Sequence, residues 1–149
     1  MSDAPEATAR AARAVGALLR PGDIVLIAGD VGTGKTTWVR AACEALGVAD
    51  RVTSPSFTIG QVYAGPVPVA HVDLFRLETL AGEDPALLAD YLTLERIAFV
   101  EWPGAGRAEV DPARVALELA LSHEGGNRRR IEARGRAAPV DAMRSALAR

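Results

Sequence analysis

The sequence predicts an α/β fold, a three-layer sandwich around a mixed sheet whose parallel core is extended by antiparallel hairpin strands. Two continuous apolar runs, IVLIA at 24–28 and IAFV at 97–100, have strand length, β-branched residues and turn residues nearby, the pattern of strands covered on both faces. Stretches with helical spacing of apolar residues alternate with them, and strands interleaved with helices pack as layers. Two pairs of apolar segments joined by glycine-bearing turns read as hairpins. With 149 residues, no repeat and no dividing linker, the chain predicts one domain spanning 1–149.

In chain order, residues 3–19 place Ala7, Ala11, Val15 and Leu19 on one helical face, and Pro21-Gly22 stops the helix. The strand at 24–28 leads into a glycine-rich loop, and residues 36–46 follow as a helix with Gly47 as its C-terminal stop. RVTSPSFT at 51–58 is too rich in Ser, Thr and Pro for a regular element. Residues 57–63 and 67–72 read as strands joined by Ala64-Gly65-Pro66. Short helical pieces broken at Gly82 and Pro85 are expected over 79–94. The strand at 97–100 ends in Glu101-Trp102-Pro103. Residues 115–121 and 130–133 flank His-Glu-Gly-Gly-Asn as a second hairpin, and 140–147 read as a final helix.

Composition narrows the function classes. Nearly half the residues are apolar, enough for a buried core. Seventeen basic against nineteen acidic residues leave a net charge of −2, no footprint for bulk binding to nucleic acid or an anionic membrane. One cysteine, Cys43, forms no internal disulfide and fits a reducing compartment; mid-helix among alanines, it reads as core. The polar, acid-bearing N-terminus resembles neither a signal nor a transit peptide, and no apolar run approaches the roughly 20 residues of a membrane span. A soluble cytoplasmic protein is expected.

The loop GDVGTGKTT begins at Gly29 and fits G-x-x-x-x-G-K-[ST], with a buried strand before it and a helix after it. Glycine is a poor helix and strand former, so a cluster of it meets a local need. Successive backbone N–H groups can wrap a polyphosphate only where no Cβ intervenes, and the loop needs backbone angles that other residues avoid. The helix starting near Gly34 adds orphan N–H groups and the positive end of its dipole. Gly29, Gly32, Thr33, Gly34 and Thr37 belong to this cradle; Lys35 brings an ammonium to the outer phosphates, and the Thr36 hydroxyl is placed to ligate Mg²⁺. The fold expectation sharpens accordingly to a P-loop NTPase-like sandwich. The sole asparagine, Asn127, is followed by three arginines, so no Asn-Lys-x-Asp element for guanine exists and ATP is the expected nucleotide.

A second acid is expected from a neighbouring strand end. Glu101 emerges after four apolar residues, where α/β sheets hold ligands, and could hold Mg²⁺ directly or through water, or orient the attacking water. Asp73 closes the strand VPVAHVD as the next candidate for the magnesium shell, or else as a helix N-cap or partner of Arg76. His71, two residues earlier on the same strand face, reads as a hydrogen-bonded core residue. Thr53-Ser54-Pro55-Ser56 is either a loop whose hydroxyls sense Mg²⁺ or γ-phosphate, or a plain Ser-Pro turn. Trp102 either covers the phosphate pocket or packs. In the basic stretch at 127–136, alternation sends Arg128 and Arg130 to one face: a charge-protected edge strand by default, or a patch for a partner protein or RNA.

In order along the chain, a helix bearing Thr8, then GDVGTGKTT, TSPSFT, HVDLFR and VEWP, the sequence resembles the small bacterial ATPases of tRNA threonylcarbamoyladenosine biosynthesis (TsaE, also called YjeE), from Glu6 to about Gly135. The phosphate loop is shared by many families; its combination with the other motifs is far more specific. The resemblance implies a protein that binds ATP or ADP with Mg²⁺ and hydrolyses ATP slowly alone. It implies work with two proteins of sugar-kinase fold that transfer threonylcarbamoyl to adenosine 37 of tRNAs reading ANN codons, the small ATPase resetting the complex rather than making the tRNA bond. Carried over, Gly32 through Thr37 would hold the phosphates, Thr36 and Glu101 would bind Mg²⁺, and Glu101 would support hydrolysis with Lys35 and Asp73. Thr8, Trp102 and the Gly125-Gly126 turn would lie near the nucleotide. Phe75 stands where the family usually has Tyr and Ser56 where it often has Thr, so a tyrosine hydroxyl contact is lost. Two other classes fit the loop alone: a small-molecule P-loop kinase, for which only Arg107 could arm a lid, and a nucleotide-sensing adaptor without useful turnover.

Overall fold

A computed structural model describes residues 5–30, 32–53, 59–75, 86–126 and 128–148. The expectations for residues 3–4, 54–58, 76–85 and Asn127, including most of the Ser-Pro loop and Arg76, lie outside the described residues.

Helix α1 (Pro5–Gly16) carries Ala11, Ala12 and Val15 on its buried face. It stops short of the expected residue 19 because its last turn tightens: the N–H groups of Leu18 and Leu19 donate to the carbonyls three residues back, at 2.9 and 3.2 Å. Strand β1 (Ile24–Gly29) and helix α2 (Lys35–Ala45) flank the glycine loop as expected, and Gly47 closes α2. Strands β2 (Gly60–Tyr63) and β3 (Val69–Asp73) form the first hairpin. Helix α3 (Ala86–Ala89) is the described helical piece of the 79–94 stretch. Strand β4 (Ile97–Glu101) includes Glu101, and 3₁₀ turns at Pro103–Glu109 and Pro112–Arg114, not expected from the sequence pattern, lead to β5.

Strands β5 (Val115–His123) and β6 (Arg129–Gly135) form the second hairpin and run longer than the apolar pattern suggested. Their ladder continues through polar pairs, Ser122 opposite Arg130 and His123 opposite Arg129, which hydropathy does not register. Helix α4 (Ala137–Leu147) begins three residues before the expected 140. Pro139 sits in its first turn, where the missing N–H has no intrahelical partner to lose.

The sheet order is β2-β3-β4-β1-β5-β6: four parallel strands in the middle, an antiparallel strand at each edge. Helices α1, α2 and α4 cover one face, over Val25, Ile27, Val69, Ile97, Phe99, Leu117 and Leu119. Helix α3 and the first 3₁₀ turn cover the other, over Ile24, Leu26, Ala70, Val72, Ala98 and Val100. This is the three-layer arrangement with a mixed sheet that the sequence predicts. Within β1 and β4 odd and even residues go to opposite faces, as the pleat requires. No helix among the described residues is long and apolar enough to cross a membrane.

Candidate active site

The C-terminal ends of β1, β3 and β4 converge on the N-terminus of α2. The parallel register aligns Ile27 with Glu101, and Asp73 with Glu101, so the loop after β1 and two acids meet at one edge of the sheet. A cavity of about 450 Å³ opens there, lined by Gly32, Gly34, Lys35, Thr36, Thr37, Asp73, Phe75, Glu101 and Trp102.

The loop geometry explains its glycines. Gly34, the N-cap of α2, has φ 98°, in the left-handed region. A Cβ on Gly29 would lie 2.6 Å from the Leu121 carbonyl oxygen and 2.7 Å from Thr33 Oγ1, so the loop can leave the strand only without a side chain there. Thr33 is buried, its hydroxyl donating to the Asp30 carbonyl at 2.8 Å, which pins the loop from inside. No side chain caps α2 and no acid stands in its first turn, so its leading N–H groups and the positive end of its dipole are available to an anion.

Lys35 is buried and donates to the Gly29 and Asp30 carbonyls at 2.6 and 2.9 Å. Its Nζ lies 4.2 Å from the centroid of the Trp102 ring, a cation–π contact. Burial pushes its pKa below the usual lysine value of 10.5; the charges of Glu101, Asp73 and Asp30 oppose this without reversing it. Trp102 holds a left-handed backbone, φ 55°, unique to it among the described non-glycine residues. That conformation turns its ring toward Lys35 and against Phe75, ring centroids 4.9 Å apart. Trp102 thus packs against Phe75 and Lys35 and also lines the cavity.

Glu101 is 2% exposed. Its Oε2 accepts from the Thr36 hydroxyl at 3.0 Å and lies 2.5 Å from His71 Nε2. Asp73 accepts from the Phe75 N–H at 2.9 Å, a turn-capping contact, while also lining the cavity. The paired hydroxyl and carboxylate are hard oxygen donors, the chemistry that suits Mg²⁺, and the remaining ligands of a bound ion would be water or ligand oxygens in the cavity beside them.

Of the residues singled out in the sequence, the cavity gathers Gly32, Gly34, Lys35, Thr36, Thr37, Asp73, Glu101 and Trp102. Gly29 lines an adjoining cavity of about 520 Å³ that shares Phe75 and Trp102. Thr8 is buried in α1, and Gly126, φ 54°, lies in the β5–β6 turn; neither lines this cavity. Sequence reasoning placed His71 in the core, which it is, but missed its partner Glu101. The signal was the shared parity of His71 and Asp73 beside a parallel neighbour, visible once β3 is placed next to β4. His123 was also passed over: a Cβ on Gly32 would lie 3.9 Å from its Nε2, so the β5–β6 hairpin rises beside the loop. The basic hairpin strand is tied locally, Arg130 to Glu124 at 3.0 Å and Arg134 to Glu118 at 3.3 Å, and Cys43 is core as expected.

Residues 2–131 match the family model described as threonylcarbamoyl adenosine biosynthesis protein TsaE. The chain is similar to the tRNA threonylcarbamoyladenosine biosynthesis protein TsaE of Streptomyces coelicolor, 36% identical over 83% of this chain and 86% of the relative. It is similar also to that of Bacillus subtilis, 34% identical over 85% and 78%. Among solved structures it resembles Bacillus subtilis YdiB, with a TM-score of 0.73 and 27% identity over 97% of this chain and 88% of the other. A matched family model over most of the chain, a loop and acid pair at one sheet edge, and a solved relative of the same architecture agree: the chain belongs to the TsaE family.

Proposed function

We propose that this protein binds ATP and ADP with Mg²⁺ at the β1–α2 loop and hydrolyses ATP slowly in the service of threonylcarbamoyladenosine formation on tRNA. The observation that carries this reading is the contact of Thr36 with Glu101 at the mouth of an uncapped, glycine-lined helix N-terminus that also holds Lys35. The backbone N–H groups of residues 32–37 bind the phosphates, and Lys35 leaves its two carbonyls to meet the outer ones. Thr36 and Glu101 hold the cation, which supplies charge neutralisation of the phosphates when bound. Glu101, with Asp73 beside it, orients the attacking water; Trp102 and Phe75 shield it from bulk solvent. The names of the relatives support the tRNA modification role. In this reading the chain acts on a complex of two sugar-kinase-fold proteins that modify adenosine 37 of tRNAs reading ANN codons, in the cytoplasm, and does not form the tRNA bond itself.

Calorimetry with Mg²⁺-ADP tests the site. Lys35→Ala should weaken binding about hundredfold, the scale of two lost charge-assisted hydrogen bonds. Glu101→Gln should cut hydrolysis about 10²- to 10⁴-fold, the scale of a lost general base, and lower the part of nucleotide affinity that Mg²⁺ confers, leaving affinity in EDTA unchanged. Unchanged turnover in that variant would sink the hydrolytic role. Capture of the modification proteins from cell extract only when ATP is present supports the partner assignment; capture of none, with phosphorylation of a small molecule, would replace it with a kinase. The kinase reading is disfavoured by Arg107, the arginine a lid would need, which is ion-paired with Glu118.

A further inference from the structure

Resting on that reading, we propose that His71 is a positioning residue for the Mg²⁺ site, whose Nε2–H holds the Glu101 carboxylate against Thr36. His71 is fully buried on β3, one strand away from Glu101, and its Nε2 lies 2.5 Å from Glu101 Oε2. Its Nδ1 is buried and has no hydrogen-bond partner among the described residues. The close contact places a proton on Nε2: a bare Nε2 would leave two lone pairs facing each other across 2.5 Å, whereas an Nε2–H gives the buried carboxylate a donor.

The consequence falls on geometry. Among the described residues, Oε2 is held by two donors, Thr36 and His71, while Oε1 has the longer Thr36 contact at 3.3 Å. The second donor holds the carboxylate toward Thr36, and Oε1 keeps acceptor capacity for a cation or its water. Hydrogen-bond partners that orient a metal ligand raise metal affinity by about 10- to 100-fold.

The test compares His71→Phe, which keeps the volume and removes the donor, with His71→Gln, whose amide N–H can restore it. ADP affinity is measured by calorimetry for each full-length variant in Mg²⁺ and again in EDTA. His71→Phe should lose about tenfold of the gain in affinity that Mg²⁺ confers, with the EDTA value unchanged, and His71→Gln should recover most of it. In parallel, nitrogen NMR of the wild-type imidazole should find Nε2 protonated, a reading that needs neither nucleotide nor turnover. A full Mg²⁺ gain in His71→Phe, or an Nε2 found without a proton, overturns the proposal. Should His71→Phe fail to fold, the His71→Gln gain and the ring spectrum decide. A wild-type protein that binds no ADP in either buffer would instead overturn the proposed function.

Discussion

Under α1, α2 and α4, the sheet presents Val25, Ile27, Ile97 and Phe99, and the same face then carries His71 and Glu101 at its upper edge. Under α3 it presents Ile24, Leu26, Ala70, Val72, Ala98 and Val100, and its polar residue beside Leu26, Glu118, is ion-paired with Arg107. Neighbouring residues of one strand thus serve different ends: Val100 seals a small core while Glu101 beside it enters the site. The polar rungs interrupt the more thickly covered face because α2 begins there, bringing Lys35, Thr36 and its free N–H groups. A site needs both a rigid bed and a place where the bed opens. The face with the larger apolar cluster supplies the first, and the end of its strands the second.

The largest effect expected from this contrast is on stability. Phe99 is fully buried and packs edge-on against Trp38, ring centroids 6.2 Å apart. Phe99→Ala should cost about 3–5 kcal/mol in denaturant unfolding, and Val100→Ala on the thinner face about 2 kcal/mol. Equal costs would show that the two faces are equally well packed and would break the comparison.

A smaller effect is expected where two helices of the thick layer touch. A Cβ on Gly16 would lie 2.5 Å from the Ala42 carbonyl oxygen, so Gly16→Ala should push α1 from α2 and lose about 1–3 kcal/mol, offset in part by better helix propensity. A neutral or stabilising result would mean that the layer yields easily.

The smallest effect sharpens the picture of dryness under α2. Burial pushes the Cys43 thiol from 9.0 up to about 12. A raised acid pKa means that the folded state keeps the proton longer. This contribution to stability is complete below about 9 and is lost as pH rises toward 12. The difference in unfolding free energy between the wild type and Cys43→Ala should shrink across that window, and a thiol reagent at neutral pH should react only when the protein unfolds. Rapid labelling of the native protein would show water reaching the α2 layer.

The glycine-rich loop was legible because its demands are local. Glycines without Cβ, a lysine and a hydroxyl at fixed offsets, a strand before and a helix after are all written within a dozen residues, and one cavity is lined by Gly32, Gly34, Lys35 and Thr36. Glu101 was legible for a related reason, since four apolar residues in a row define the strand end that carries it. Helix ends were less so: the tight turn after Gly16 depends on how α1 meets α2, and the early start of α4 depends on a proline that reads as a stop but sits harmlessly in a first turn.

The order and type of the main elements, the three-layer plan, the glycine-rich loop and the acid at the end of β4 were determined by the chain itself, because periodicity, propensity and motif spacing act over short separations. Which strands became neighbours was decided by tertiary structure, through packing that closes loops of dozens of residues. Only that pairing set His71 against Glu101, turned Trp102 over Lys35, bound Arg107 to Glu118 and raised His123 beside Gly32. These contacts join residues far apart in sequence, and no local pattern encodes a distance across a sheet.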